Sequence, residues 1–189
     1  MSTFVSAPAR TRQHHNPVLG DVATIVESAA ETRGDRTVLE IEVAPGGGTR
    51  PHVHSAFAEH FLALEGVVTI ETDGKRQVLV PGDGAVAPAG SVHCFRNETP
   101  DAITIRVELR PGHMGFEDAL AIAYGLARDG RVYPDGTPKE LLATALLVDL
   151  SDTAMVGAMR AMQRPLRRLA NVARRRGVEA ELRARYLGA

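Results

Sequence analysis

Cysteine is almost absent from this chain of 189 residues, which contains only Cys94. A single cysteine excludes an internal disulfide and is compatible with a reducing compartment. Long apolar runs are also missing, because none approaches the roughly 20 residues that span a bilayer. Residues 1–20 lack the continuous apolar core of a signal peptide. These absences predict a cytoplasmic protein that has no membrane partner.

Aromatic residues are few, and the net charge of −1 hides an uneven distribution. Residues 154–189 hold nine arginines against two glutamates, a balance of about +7, which leaves about −8 for residues 1–153. Such a segment is either a basic binding surface or a solvated helix face that pairs with the acidic remainder. Tyr186 is the only aromatic residue after position 153. Nucleic acid is therefore not predicted as a partner, because bases would find little to stack on.

The first two thirds of the chain alternate apolar and polar residues with a period of two, which is typical of strands. Leu39, Ile41 and Val43 share one face of such a segment. Asp73-Gly74 lies between two further segments and is a strong hairpin signal. Many short strands with regular turns predict a mainly β fold, an antiparallel barrel or sandwich.

After His113 the apolar period changes to 3.6, which predicts helices. The predicted helical segments are residues 115–130, 137–150, 151–163, 165–177 and 178–187. Thr137 and Glu140 are spaced as a capping box and predict the start of the second segment. These helices carry apolar stripes that need burial.

The chain is therefore predicted to have three parts: an N-terminal arm (1–19), a β-barrel (20–113) and a helical C-terminal extension (114–189). Packing of the extension on the barrel is the leading interpretation. A dimer surface is the second, and a membrane-surface or nucleic-acid role for the arginines is the third. His14 and His15 fall in the arm and are expected to have no chemical role.

Residue types that bind metals are concentrated in the stretch PHVHSAFAEH. His52 and His54 are two residues apart, so both side chains point to the same face of one strand. Glu59 opens the next strand, and His93 follows further along the chain. Imidazole and carboxylate groups suit divalent transition metals, and four such ligands leave positions open on a six-coordinate ion.

The spacing of these residues resembles the two sequence motifs of the cupin superfamily. The first motif is G, five residues, H-x-H, three or four residues, E, six residues and G, which this chain meets at Gly46, His52, His54, Glu59 and Gly66. The second motif is G, five residues, P-x-G, two residues, H, three residues and N, which it meets at Gly82, Pro88, Gly90, His93 and Asn97. The resemblance covers about residues 20–113.

The resemblance implies a double-stranded β-helix, in which two antiparallel sheets close into a small barrel or jelly roll. It implies one divalent transition metal ion per chain (Fe, Mn, Ni, Cu, Co or Zn), held by His52, His54, Glu59 and His93. The motif glycines and Asn97 would shape turns. Cupins with one barrel per chain commonly form dimers through their N-terminal strands, so a homodimer is expected.

Five further residues are candidates for the barrel interior: Arg50, Phe61, Phe95, Arg106 and Glu108. The first three share the parity of neighbouring predicted ligands. Arg50 either meets an anionic substrate or lies on the surface, and Phe95 either lines the cavity or is plain packing. Arg106 and Glu108 share a strand face that is either the interior or a solvated surface. His60 and Cys94 have the opposite parity and are not predicted as ligands.

The predicted function is that of a metal-binding cupin that acts on a small organic molecule in the barrel, as an oxygenase-type or isomerase-type enzyme. The alternative is a non-catalytic protein that binds or senses a small molecule. An interior lined by phenylalanine and aliphatic side chains would favour an apolar or aromatic ligand. An interior holding Arg50 or Arg106 would favour a carboxylate.

Overall fold

A computed structural model describes residues 12–188 of the chain, without the side chains of residues 158 and 159. The strands are β1 Gln13–Asn16, β2 Asp21–Glu27, β3 Thr37–Val43, β4 His52–His54, β5 Ala58–Glu65, β6 Val68–Thr72, β7 Lys75–Leu79, β8 Gly84–Ala87, β9 His93–Arg96, β10 Ile103–Arg110 and β11 Thr153–Met155. The α-helices are α1 Met114–Arg128, α2 Leu141–Leu150, α3 Gln163–Arg175 and α4 Val178–Leu187, and Gly157–Met162 forms a 3₁₀ helix. Within the described residues, no helix is both long and apolar enough to cross a bilayer.

The strands form two antiparallel sheets. Their orders are β1-β2-β3-β10-β5-β8 and β11-β4-β9-β6-β7. Buried side chains from both sheets form one apolar cluster, in which Ile41 and Ile105 of the first sheet join Ile70 and Phe95 of the second. The mainly β fold and the double-stranded β-helix are confirmed.

Strand β10 shows which residues face the barrel interior. Ile105 and Val107 are buried and pair with Ile41 and Leu39 of β3. Burying one such aliphatic side chain contributes about 1.5–3 kcal/mol, so the aliphatic face turns inward. The alternating residues, among them Arg106, consequently lie on the outer face of the sheet.

The predicted hairpin between β6 and β7 is confirmed. Thr72 pairs with Lys75 across the two-residue turn Asp73-Gly74. Both turn residues have positive φ, 49° and 77°. This is the geometry of a type I′ turn, in which glycine is favoured and aspartate is tolerated.

Residues 13–16 differ from their predicted place in an arm, because they form a strand of the first sheet. His14 pairs with Ala23 and Asn16 with Asp21, and the side chains of His14 and Asn16 are buried. Strand β1 also contacts helix α1. The positions of the domain boundaries stay predictions, and residues 1–11 lie outside the described part of the chain.

Helix α1 agrees with its predicted span and packs on the barrel. Phe116, Leu120 and Tyr124 project from it against the barrel core. The buried carboxylate of Glu117 accepts hydrogen bonds from the Ala29 backbone amide (2.7 Å) and from the hydroxyl groups of Ser28 (2.7 Å) and Thr37 (2.6 Å). The predicted packing of C-terminal helices on the barrel is confirmed.

Two predictions about the extension are wrong. The capping box at Thr137 is not formed: helix α2 begins at Leu141 and has no side-chain cap. Thr137 instead lies in a turn, where its backbone carbonyl accepts a hydrogen bond from the amide of Tyr133. Residues 151–163 are not one helix, since Thr153–Met155 forms strand β11 beside β4. The pairing of β11 with an edge of the barrel outweighs the helical propensity of this segment.

The arginines of the extension include some that form ion pairs and some that face solvent. Arg174, Arg183 and Arg185 form ion pairs with carboxylates of the extension itself. Arg164 and Arg168 on helix α3 are exposed and form no ion pair within residues 12–188. The extension therefore neutralises part of its charge internally and leaves one face of α3 solvated.

Asp21 is a buried carboxyl group at the start of β2. Burial raises its pKa from 3.8 to about 6, against a smaller opposing effect of its hydrogen bond with the Ala44 backbone. Its Oδ1 atom has no hydrogen-bond partner within the described residues. Because the pKa is higher in the folded protein, the folded state binds more protons than the unfolded state between about pH 4 and 6. Stability is therefore lost as pH rises through this window.

We expect Asp21→Asn to raise the melting temperature relative to wild type at pH 7.5 more than at pH 4.5, because an amide does not ionise. The pH-dependent loss in wild type is about 1–2 kcal/mol after allowing for partial solvation. This corresponds to a difference of about 2–8 °C for a chain of this size. Thermal melts of both proteins in EDTA at the two pH values measure it. A difference that does not grow with pH would contradict the assignment.

Candidate metal centre

The four predicted ligand residues meet inside the barrel. One ligand atom from each of His52, His54, Glu59 and His93 lies within 4.8 Å of all the others. His54, Glu59 and His93 are buried, and His52 is partly exposed. The histidines come from β4 and β9 in one sheet, and the glutamate comes from β5 in the facing sheet. The cluster is therefore held between the two sheets, with His52 on its more accessible side.

The period and register of the strands explain this convergence. Residues two apart on a strand share a face, which puts His52 and His54 together. His52 pairs directly with His93 across β4 and β9, and their ring centroids are 4.5 Å apart. Glu59 opposes Leu109 of β10, a fully buried core residue, so its side chain also points inward.

The second nitrogen of each imidazole fixes the orientation of the ring. Nδ1 bonds to a backbone carbonyl in all three histidines: His52 to Arg50 (2.7 Å), His93 to Ser91 (3.1 Å) and His54 to Asp152 (3.3 Å). A carbonyl only accepts hydrogen bonds, so Nδ1 carries the hydrogen in each ring. The neutral ring then presents the lone pair of Nε2 as a metal ligand, an arrangement common around protein-bound metals.

The pKa values suit ligation by the two histidines of β4. Burial lowers the pKa of His52, and it lowers the pKa of His54 to about 4, so both rings are neutral at neutral pH. Burial acts in the same direction on His93, but its contact with Glu59 outweighs burial and raises its pKa. Burial raises the pKa of Glu59, but the three imidazoles together bring it below its ordinary value. The cluster is thus an ionised carboxylate surrounded by imidazoles.

The buried nitrogen atoms of the cluster fit a cation. Nε2 of His54 and of His93 are fully buried and make no hydrogen bond within the described residues. They lie 3.7 and 3.2 Å from the two carboxylate oxygens of Glu59. Buried polar atoms are nearly always satisfied, and a metal ion between these atoms would satisfy both nitrogens and the carboxylate.

Phenylalanine side chains surround the cluster. Phe57 stacks on the ring of His54 at 4.5 Å, and Phe116 of helix α1 meets the same ring edge-on at 5.7 Å. Phe61 lies 6.3 Å from the ring of His93 and 6.2 Å from Phe95. Phe61 and Phe95 are both buried in the apolar cluster of the barrel, and their role in lining a ligand cavity stays a prediction. The side of the centre away from His52 is accordingly apolar.

The charged candidates lie elsewhere. Arg50 takes the surface alternative, because its side chain is 75% exposed and its guanidinium donates to Asp135 (3.0 Å). Arg106 and Glu108 take the solvated alternative: Arg106 donates to Glu40 on the outer face, and Glu108 accepts from Arg110. The idea that these two residues form a polar interior wall is wrong, since the aliphatic face of β10 fills the barrel.

The other motif-related residues agree with their predicted places. Asn97 is buried, and its amide donates to three backbone carbonyls, which makes it structural. His60 pairs with Val86, which is exposed on the outer face. Cys94 is buried at the base of a groove of about 250 Å³ on the outer side of the second sheet, lined also by Glu71 and Arg96.

Sequence reasoning missed three residues at this centre. Phe57 lies inside the first motif at a position that the motif leaves unspecified, so only its apolar character was visible. Phe116 and Asp152 come from the extension, more than fifty residues from β4 in sequence, and no spacing rule connects them to it. Their roles required the tertiary structure.

Comparison with known proteins identifies the barrel. A family profile described as "Cupin domain" matches residues 39–112. Quercetin 2,3-dioxygenase of Bacillus subtilis (strain 168) is 38% identical over 72 residues, which are 38% of this chain and 21% of that protein. Mannose-1-phosphate guanylyltransferase of Escherichia coli is 32% identical over 87 residues, which are 45% of this chain and 18% of that protein. The chain thus spans about a fifth of the length of these relatives.

One solved structure that resembles this chain is a RmlC-like cupin from Shewanella frigidimarina NCIMB 400. The similarity covers 61% of this chain and 96% of that one, with 18% identity and a TM-score of 0.48. The profile match includes the whole four-residue cluster and lies within the two-sheet barrel. Residues 39–112 of this protein therefore match the cupin domain family.

Proposed function

We propose that this protein is a metal-dependent cupin enzyme that acts on a small organic molecule at the His52, His54, Glu59 and His93 cluster. The observation that carries the proposal is the convergence of four ligand atoms within 4.8 Å in a buried site. Four protein ligands leave two positions on a six-coordinate ion. A metal with a purely structural role usually has a closed shell, so an incomplete shell favours catalysis.

The protein side chains have separate roles in this proposal. A bound Fe, Mn, Ni, Cu, Co or Zn ion would supply Lewis-acid or redox chemistry. The three imidazoles would hold it through Nε2, and Glu59 would lower the positive charge of the site. Phe57 and Phe116 would exclude water from the side of His54. The substrate would approach from the side of His52, the only partly exposed member of the cluster.

The proposed substrate is apolar or aromatic. Phenylalanine rings lie against the imidazoles, whereas Arg50 and Arg106 point to other carboxylates outside the barrel. An anionic substrate would therefore meet no inward-facing arginine from these two positions. The quercetin 2,3-dioxygenase relative supports oxygenase chemistry, with isomerase-type chemistry as the second option.

A turnover panel tests this proposal. Protein loaded anaerobically with Fe(II) is given a catechol, a keto acid or a thiol and then exposed to air in an oxygen electrode. We expect oxygen consumption above background with the catechol. Glu59→Ala should abolish it with an unchanged circular dichroism spectrum, because that substitution removes the only anionic ligand of the cluster. Glu108→Ala is the matched control, since Glu108 is a glutamate on the outer face of a barrel strand.

Other outcomes decide between the reaction classes. If NMR shows that a panel member is converted in the absence of oxygen, the reaction is that of an isomerase or lyase and not of an oxygenase. The enzymatic proposal would be overturned if no metal form converted any panel member while small molecules still raised the melting temperature. The protein would then be a non-catalytic binding or sensing cupin.

The oligomeric state, the cellular compartment and the class of partner belong to the same proposal. A homodimer in the cytoplasm would agree with the cupin resemblance and with a single buried cysteine. Strand β1 is the last strand at one end of the first sheet, and a second chain would pair along that edge. A small molecule is the proposed ligand, and neither nucleic acid nor a membrane is a proposed partner.

A further inference from the structure

We infer that Asp152, in the C-terminal extension, is a positioning residue that fixes the orientation of the metal ligand His54. The inference rests on the proposed metal centre and deepens it. In this inference, the extension helps to position a site whose four candidate ligands all come from the barrel. Asp152 lies between helix α2 and strand β11, outside both cupin motifs.

The carboxylate of Asp152 binds the two residues that follow His54. Its Oδ2 accepts hydrogen bonds from the backbone amides of Ser55 and Ala56, both at 2.6 Å. The hydroxyl group of Ser55 also donates to the same carboxylate, at 2.9 Å to Oδ2 and 3.1 Å to Oδ1. Hydrogen bonds to a charged group are roughly twice as strong as those between neutral groups. The chain is thus clamped immediately after the ligand.

The backbone of Asp152 binds the ligand itself. Its carbonyl oxygen lies 3.3 Å from Nδ1 of His54 and accepts a hydrogen bond from the Nδ1–H group. Because the hydrogen is on Nδ1, the lone pair of Nε2 is available to a metal. This geometry requires a φ of +50° at Asp152, which only glycine adopts freely and aspartate or asparagine tolerate. The same residue therefore holds both the ring of His54 and the backbone beside it.

Strand β11 adds a second hold on the ligand strand. On one side, β4 pairs with β9 only at His52 and His93. On its other side it pairs with β11 along its whole length, with Thr153 opposite His54 and Met155 opposite His52. Two of the four ligands are therefore carried by a three-residue strand whose longer pairing comes from the extension. Loss of the Asp152 clamp should let this strand move relative to Glu59 and His93.

Three variants separate positioning from folding. Asp152→Gly removes the carboxylate but suits the positive φ and keeps the carbonyl that binds His54. Asp152→Asn keeps an oxygen acceptor for the two amides and removes the charge. Asp129→Asn is the matched control: Asp129 also accepts several side-chain hydrogen bonds, from Arg185 and Tyr186, but only within the extension.

The readouts are the dissociation constant of Co(II), measured against a competing chelator, and the visible absorption spectrum of the Co(II) protein. Each variant is first melted in EDTA to establish that it folds. We expect Asp152→Gly to bind Co(II) about 10–100-fold more weakly, as is usual when the support of a metal ligand is lost, because without the carboxylate neither the carbonyl at position 152 nor His54 is held in place. Its spectrum should change, because His54 is misplaced. Asp152→Asn should recover most of the affinity and the wild-type spectrum, and Asp129→Asn should match wild type in both.

Each result decides a different point. Wild-type affinity and an unchanged spectrum in Asp152→Gly would overturn the role of Asp152 while leaving the metal centre intact. Absence of Co(II) binding in the wild-type protein would overturn the metal centre and this role with it. If Asp152→Gly does not melt cooperatively, Ser55→Ala decides instead, since it removes the hydroxyl donor to the carboxylate and leaves Asp152 in place. Ser55→Ala should weaken Co(II) binding about 2–10-fold, and unchanged binding would overturn the inference.

Discussion

Replacing His93 or His52 by alanine is expected to reduce the metal content of the purified protein from about one ion per chain to nearly none. Each substitution removes one of three imidazole ligands whose Nε2 atoms face the same point. The remaining ligands would leave a coordination shell with too few donors to retain the ion through purification. Elemental analysis of the wild-type protein and both variants, prepared side by side, measures the effect.

His60→Ala is the matched control for this experiment. His60 neighbours Glu59 on the same strand but pairs with the exposed Val86 on the outer face, so its loss should leave the metal content unchanged. Equal metal content in wild type and in the His52 and His93 variants would refute the ligand assignment. The identity of the ion is less informative, because Ni, Cu or Zn can occupy a site that works with Fe or Mn.

The sequence contained most of the information about the candidate ligand set, for a physical reason. A strand repeats every two residues, so H-x-H fixes two side chains on one face before any tertiary structure is known. The hairpin at Asp73-Gly74 and the aliphatic face of β10 could be predicted in the same way, since turn chemistry and alternation are local. The sequence also showed that Arg106 and Glu108 share one face of β10 and alternate with the aliphatic face. Which of the two faces points into the barrel depends on which has more apolar area to bury.

The contribution of the extension could not be predicted, because it depends on contacts between residues far apart in the chain. The segment from Thr153 to Met155 has no strong strand signal and becomes a strand only beside the edge of β4. His14 likewise becomes buried only because β1 joins the sheet and meets helix α1. Local propensity is a weak guide wherever an exposed sheet edge offers backbone partners.

Removing residues 114–189 is expected to make the barrel insoluble or to abolish its cooperative unfolding. The truncation would uncover the apolar core that Phe116, Leu120 and Tyr124 now protect. It would also leave three donors without the buried carboxylate of Glu117 and would strip β11 from the edge of the ligand strand. Large exposed apolar patches and free strand edges both promote aggregation. The soluble fraction after expression and a thermal melt of any soluble protein measure the outcome.

Neutral substitution of the solvated arginines separates the apolar contribution of the extension from its charge. Arg164→Gln with Arg168→Gln should change stability by less than about 0.5 kcal/mol, since both side chains are exposed and form no ion pair within the described residues. A truncated barrel that stays soluble with an unchanged melting temperature would contradict the prediction and make the extension an independent module. A large loss of stability in the arginine variant would instead assign a structural role to the basic face of α3. The expected pattern, a severe effect of truncation and almost none of charge removal, follows from an extension held to the barrel by apolar packing, the Glu117 hydrogen bonds and the pairing of β11.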